Sequence, residues 1–423
     1  MAVSLGDAGP ARNNRPPGCP GVPVSCGVTA PRGFVAAGVH CGLKAEKLDL
    51  AIIASTAAEP ATVAGVFTRN QVQAAPVLYC REVAASGRAR AIVANSGNAN
   101  ACTGESGLAD TWAMAACAGA ALEIDSEHVL VASTGVIGVP LPMPTVLAGI
   151  DQAAAELGAD GGERAAEAIL TTDTRTKIEA ETVELAGGEV TIGGVAKGAG
   201  MMAPDMATTL AFVTTDAAVA PAALDQALRR AVEPTFNSIT VDGDTSTNDS
   251  ILVLANGAAG VEAASAKDLE RFTDALERLM GRLAVALVAD GEGANRVIEI
   301  RVGGARTNAA ARQVATTIAN SPLVKTAYRT GQPNWGRVMG AIGRSGVDIV
   351  EQRIAIAVST PEERVEVVRG GLGVTEDLEP LGRAMLAAHS VLHVDLGLGS
   401  GGWTVWTCDL SEGYIQINAS YIS

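Results

Sequence analysis

At 423 residues the chain has room for one large domain or two to three smaller ones, and 48% apolar residues exclude wholesale disorder. Its 46 Asp and Glu against 31 Lys and Arg give a formal net charge of -15, which makes a nucleic-acid phosphate backbone a poor partner. With 48 Gly and only 3% aromatics, the interior must be built from small and β-branched side chains on closely approaching backbones.

The first 30 residues are rich in Pro and Gly. They carry no continuous apolar stretch of signal-peptide length and read as a disordered extension. From Pro31 short strands alternate with Ala-rich helical stretches. Residues 49–55 and 90–95 read as strands, the second ending in the polar turn 95–104. A helix is expected over 108–124, where Ala supplies propensity and Leu108, Trp112, Met114 and Ile124 an apolar face. The strand 128–133 runs into a Gly-containing turn at 134–138, and a hairpin over about 182–200 opens into a glycine-rich loop. A strand over 208–216, helices over 219–234 and 266–291, strands within 345–358 and a helix near 377–388 follow. A strand pair at 403–410 and 414–419 closes the chain. This alternation predicts an α/β layered protein.

No window holds the roughly 20 apolar residues of a membrane helix. The seven scattered cysteines fit a reducing, cytoplasmic setting better than a disulfide framework. Several familiar signatures fail. The acidic run 242–249 lacks the glycine and closing glutamate of a calcium loop and reads as a polar turn that satisfies backbone amides. His389 and His393 share i,i+4 spacing without an HExxH pattern, and His40 and His128 are isolated, so structural histidines are expected and no metal. Neither a dinucleotide fingerprint, a phosphate-binding lysine loop nor a nucleophile elbow is present.

What remains is 194-GVAKGAGMMAPDMATTLAF-212, a constrained Gly- and Pro-containing connection that meets a strand at Thr208 and Thr209. Here the chain resembles the ornithine acetyltransferase family, the arginine-pathway glutamate N-acetyltransferases. That family is cut between Ala and Thr in a K-G-x-G-M…P-x-M-A-T motif. The matching residues are Lys197, Gly198, Gly200, Met201, Pro204, Met206, Ala207 and Thr208. Further matching segments run in order from 31-PRGFVAAGVHCGLK-44 through 95-NSGNAN-100, 133-STGVIG-138, 170-LTTDT-174, the run 236–249, 290-DGEGAN-295, 320-NSPLVKTA-327 and 333-PNWGR-337 to 418-NASYIS-423.

The resemblance implies an α/β layered sandwich of the ornithine acetyltransferase type, autocleaved between Ala207 and Thr208 into interleaved chains. These would be an α chain, 31–207, and a β chain, 208–423, with a smaller C-terminal subdomain from about residue 300. Two of each would make a heterotetramer. Thr208 would be the nucleophile, its freed α-amine the base. The oxyanion donors would be the Thr134 hydroxyl and the Gly135 amide. Lys197 would meet the substrate carboxylate, Thr171 would hydrogen-bond the bound amino acid and Glu292 would meet the ornithine ammonium. Asn418 and Ser423 would close the pocket. The implied reaction moves acetyl from N2-acetylornithine to glutamate without a cofactor, with acetyl-CoA as an alternative donor. The sequence departs from the family pattern at Gln332, at Asn295–Arg296 and at Ser423. These departures keep open a specialised relative with another acceptor. An N-terminal-nucleophile aminopeptidase or amidase is the enzymatic rival, and a non-catalytic binding protein, which would not be cut, the remaining one.

Overall fold

Strand Gly188–Lys197 pairs antiparallel with Leu210–Thr215, in a register that sets Lys197 opposite Leu210. The glycine-rich connection is therefore a wide loop between two neighbouring strands. The computed structural model describes residues 24–203, 209–374 and 376–420. Ala207, Thr208 and Ser423 thus lie outside the described residues, as do residues 1–23.

Among the described residues the strands form three sheets. The first has four strands, in the order Phe34–Val39, Leu50–Ser55, Ala91–Asn98, Val129–Val136. The second has six, in the order Arg88–Ala89, Ala61–Phe67, Ser250–Ala255, Leu210–Thr215, Gly188–Lys197, Lys177–Leu185. Its central strands are buried on both faces, which is why they read as continuous apolar runs rather than alternating ones. Leu210, Phe212, Leu252 and Leu254 join the core of the first sheet. Ala211, Val213, Ile251 and Val253 point the other way, into a core closed by helices Pro221–Val232 and Ala266–Ala289. The third sheet is built from strands between Val297 and Cys408, with its own core against helices Asn308–Ala319 through Glu379–Leu386.

The long helix Ala266–Ala289 follows directly from its sequence. Ser265 caps it by accepting the Asp268 amide, and Phe272, Leu276, Leu279, Leu283 and Leu287 recur at helical spacing on the buried side.

Three expectations are corrected. Residues 414–419 are not a strand but part of helix Glu412–Ser420. The alternation in Tyr-Ile-Gln-Ile-Asn imitates a half-buried strand, yet Ile415 is 66% exposed and no ladder partner is offered. Within 345–358 only Ala355 onward is extended, as strand Ala355–Ser359, after a 3-10 turn at Glu351–Arg353. Residues 24–30, expected in the disordered extension, belong to the fold. Val28 is fully buried, and its carbonyl accepts the Thr214 hydroxyl at 2.7 Å. No described helix is long and apolar enough to cross a membrane.

Candidate active site

The parallel strands Ala91–Asn98 and Val129–Val136 end side by side, with a register irregularity at Gly97 and Asn98. Gly135 takes φ +133 there, and a Cβ on it would fall 2.3 Å from the Gly97 carbonyl carbon. Only glycine fits this position. The strand end is tied to the acidic run by Asn248, whose amide donates to the carbonyls of Ala99 (2.6 Å) and Ser133 (2.8 Å).

This strand end forms one wall of a cavity. Lys197, at the end of its strand, supplies the second, and the loop at Thr171–Thr172 the third. Glu292, just after the long helix, and Asn418, on the C-terminal helix, complete it with Met201 and Ser246–Asn248. Thus Thr134, Gly135, Thr171, Lys197, Glu292 and Asn418, six residues from distant segments of the chain, share one cavity. Two roomier hollows lie elsewhere, one over the third sheet around Arg301, His393 and Trp403, the other beside Phe67 and Arg229. Neither contains any of the expected site residues.

Lys197 is buried and donates from Nζ to the Thr171 hydroxyl at 2.7 Å and the Thr134 hydroxyl at 3.3 Å. Each hydroxyl accepts from the ammonium and so keeps its own O–H free to donate elsewhere. Burial pushes the Lys197 ammonium below its ordinary value, with the Asp173 carboxylate, 3.8 Å away, opposing and Lys177 adding to the fall. Glu292 faces the same cavity. Its Oε2 accepts the Asn418 amide at 2.7 Å, and its backbone amide donates to the Ala199 carbonyl at 2.8 Å. Helical geometry sets Asn418 one turn beyond Tyr414, whose carbonyl it also reaches at 3.0 Å. Gly200 packs against this carboxylate so closely that a Cβ would lie 2.6 Å from Glu292 Oε2. A cavity with a buried cation, two hydroxyls and a carboxylate suits a zwitterionic amino acid whose side chain ends in a second cation.

Sequence reasoning missed the residue that organises this cluster. Asp173 is buried, accepts the amides of Gly198 (2.7 Å) and Thr171 (3.0 Å), and pairs with Lys177 and Lys197. Burial alone would raise its carboxyl, but the two lysines and these amides hold it well below the usual carboxylate range. Lys177 is shared with Asp290 at 2.5 Å, and Asp290 accepts both the amide and the hydroxyl of Thr174. Lys44 was missed as well. Its ammonium donates to the Leu170 carbonyl at 2.6 Å, and burial brings it down to about 8. The only available signal was an Asp between threonines in 170–174, which local reasoning could not distinguish from an ordinary turn.

The ArgJ family model matches residues 35–423. The chain belongs to the ArgJ family. Among curated ArgJ relatives, the arginine biosynthesis bifunctional protein ArgJ of Symbiobacterium thermophilum is 49% identical over 401 residues, covering 93% of this chain and 98% of the relative. Its counterpart from Caldanaerobacter subterraneus subsp. tengcongensis is 46% identical over 397 residues, covering 93% and 98%. Two solved structures are also similar. The ornithine acetyltransferase of Mycobacterium tuberculosis complexed with ornithine is 46% identical, covering 44% of this chain and 97% of that chain at a TM-score of 0.40. The ArgJ bifunctional protein of Bacillus halodurans is 38% identical, covering 50% and 98% at a TM-score of 0.47.

The departures at Asn295 and Arg296 lie outside the cavity. Both backbone amides donate to Asp409 Oδ1, at 2.7 and 3.0 Å, and so fix the loop behind Glu292. Gln332 does not line the cavity either.

Proposed function

We propose that this chain is a glutamate N-acetyltransferase of arginine biosynthesis, which cuts itself between Ala207 and Thr208 and then carries acetyl on Thr208. The observation that bears most weight is the gathering of Lys197, Thr134, Thr171, Glu292 and Asn418 around one cavity, with Thr209 fixed close by. Thr209 hydrogen-bonds Asp249, the neighbour of the cavity residue Asn248.

In this reading Thr208 Oγ attacks the acetyl carbonyl of N2-acetyl-L-ornithine, and the freed α-amine takes the hydroxyl proton. That proton leaves with L-ornithine. The amine of L-glutamate then attacks the acetyl ester, giving N-acetyl-L-glutamate and restoring the hydroxyl. Lys197 holds the amino-acid carboxylate, and Glu292 holds the ornithine side-chain ammonium. The Thr134 hydroxyl and Gly135 amide stabilise the oxyanion.

Product analysis tests the reaction. Ornithine with N-acetylglutamate in equal amounts is expected; ornithine with free acetate would identify a hydrolase instead. Thr134→Ala should lower kcat by about 10²–10³, since a donor aimed at developing charge is removed. An unchanged kcat would remove Thr134 from the oxyanion site. Glu292→Gln should act on binding. The KM for acetylornithine should rise by about tenfold or more, while the half-reaction with glutamate changes less. Equal losses for both substrates would contradict the assignment of Glu292 to the ornithine end.

A further inference from the structure

The ammonium of Lys44 sits where two loops meet. Its Nζ donates to the Leu48 carbonyl at 2.9 Å, within its own loop, and to the Leu170 carbonyl at 2.6 Å, 126 residues away. Leu170 follows the short helix Gly162–Ala168, and the last carbonyls of a helix have no partner inside it. The Ser96 hydroxyl takes up the Ala168 carbonyl at 2.5 Å, and Lys44 takes up that of Leu170. A cation is a favoured donor beyond a helix C-terminus, and its hydrogen bonds are stronger than neutral ones.

The Leu170 carbonyl shares a peptide unit with the Thr171 amide, which donates to Asp173 Oδ2 at 3.0 Å. Both polar ends of one peptide plane are therefore held, the first by Lys44 and the second by Asp173. A planar unit gripped at both ends has a fixed orientation. That orientation aims the Thr171 side chain, whose hydroxyl accepts from Lys197 at 2.7 Å. The lysine stem is fixed as well. Gly97 takes φ +100, and a Cβ on it would lie 3.3 Å from Lys44 Cγ and from the Leu43 carbonyl oxygen. Gly97 is the residue against which Gly135 packs. Asp49, fully buried, ties down the loop by accepting the amides of Cys41 (2.7 Å), Gly42 (3.1 Å) and Lys44 (2.9 Å). Lys44 thus spans the gap between the strand end of Thr134 and Gly135 and the loop of Thr171.

We propose that Lys44 is a positioning residue for Thr171, holding its hydroxyl at a set distance from the Thr134–Gly135 strand end so that the amino acid is gripped in both half-reactions. The inference rests on the reading of this cavity as the transferase site. Lys44 does not line the cavity, so it acts through the Leu170–Thr171 peptide rather than by contact with substrate. Burial holds its ammonium down to about 8, with Lys197 and Lys47 adding to the fall and Asp49 and Asp173 opposing it. The cation is present below that pH and lost above it.

The test compares full-length wild type, Lys44→Met, Lys44→Arg and Lys47→Met, the last removing an exposed ammonium from the same loop. Circular dichroism checks folding, and transfer is measured with acetylornithine and glutamate varied in turn. In Lys44→Met the KM for both substrates should rise by about tenfold, with kcat changed by less than about threefold. Lys44→Arg should stay within about threefold of wild type, and Lys47→Met should match it. A purely structural role would lower the share of active enzyme, so that kcat falls at constant KM. That result, an unaltered Lys44→Met, or a Lys44→Arg no better than Lys44→Met would overturn the inference. Should Lys44→Met not fold, the pH dependence of Lys44→Arg decides. The KM for acetylornithine should climb in wild type as the pH passes about 8, and the climb should move to higher pH in Lys44→Arg, whose guanidinium stays charged. Coincident profiles would overturn the inference. A wild type that makes no N-acetylglutamate would overturn the transferase reading and this inference with it. Normal transfer in wild type and in a folded Lys44→Met overturns the inference alone.

Discussion

Thr208→Ala is expected to yield a single chain of 42.8 kDa in place of two fragments, and to lose transfer by about 10⁴-fold or more. Both effects follow from one missing atom. The hydroxyl that would attack the Ala207 carbonyl is the one that would attack acetylornithine, so its removal stops maturation and catalysis together. A loss of 10⁴ corresponds to roughly 5.5 kcal/mol of transition-state stabilisation, more than any single hydrogen bond in the cavity could account for. Thr208→Ser, which keeps the hydroxyl, should recover part of both activities. Intact mass and a transfer assay on the same preparation read the result. A Thr208→Ala protein that is still cut at 207/208, or still transfers acetyl at the wild-type rate, would remove the nucleophile from this position.

Asp173→Asn should damage stability and transfer together while leaving Thr208 in place. The substitution removes the carboxylate shared by Lys177 and Lys197 and weakens the acceptor for the Gly198 amide. Lys177 keeps Asp290, but Lys197 loses its nearest carboxylate while remaining buried. Breaking a buried pair from one side costs about 3–5 kcal/mol, so the melting midpoint should fall by about 5–10 °C. Under the proposed role of Lys197 as the substrate-carboxylate cation, transfer should fall by about 10², because that ammonium loses both position and charge. The pH dependence provides an internal check. The Asp173 carboxyl is held below its unfolded value, so its stabilisation is complete above pH of about 4 and is lost as the pH falls through the folded value. The stability gap between wild type and Asp173→Asn should therefore be full near neutrality and shrink in acid. A gap that is absent at neutral pH, or that widens on acidification, would contradict the network described.

The sequence was most readable where one physical signal acted alone. Helix Ala266–Ala289 has a serine cap and an apolar stripe at helical spacing, and both appear without knowledge of the partner. The C-terminal helix was not readable, since its alternating Tyr-Ile-Gln-Ile pattern carries a strand signal. What fixes it lies far away: Asn418 reaches Glu292, 126 residues distant along the chain. The candidate site divides in the same manner. Thr134, Lys197 and Glu292 were reached through matched motifs, not through any local physical signature. Asp173 and Asp249 were passed over because each acts through partners brought by folding, across separations such as the 40 residues from Thr209 to Asp249. The acidic run 242–249 was rightly taken as a turn that satisfies amides. Its importance depends on which amides those are.

The order of strands in the second sheet has a consequence for the life history of the molecule. Strands from before residue 207 flank the pair Leu210–Thr215 and Ser250–Ala255 on both sides, so the two halves are joined by two separate backbone ladders. For a chain cut at 207/208, native chromatography would see one unchanged particle, and only a denaturing separation would register the cut. Unfolding would then differ sharply before and after it. The uncut chain can regain its sheet by a first-order search within one polymer, whereas the severed halves must find each other in solution. Recovery from denaturant should thus depend on concentration for the mature form and not for an uncut variant. A single broken peptide bond would turn folding into assembly.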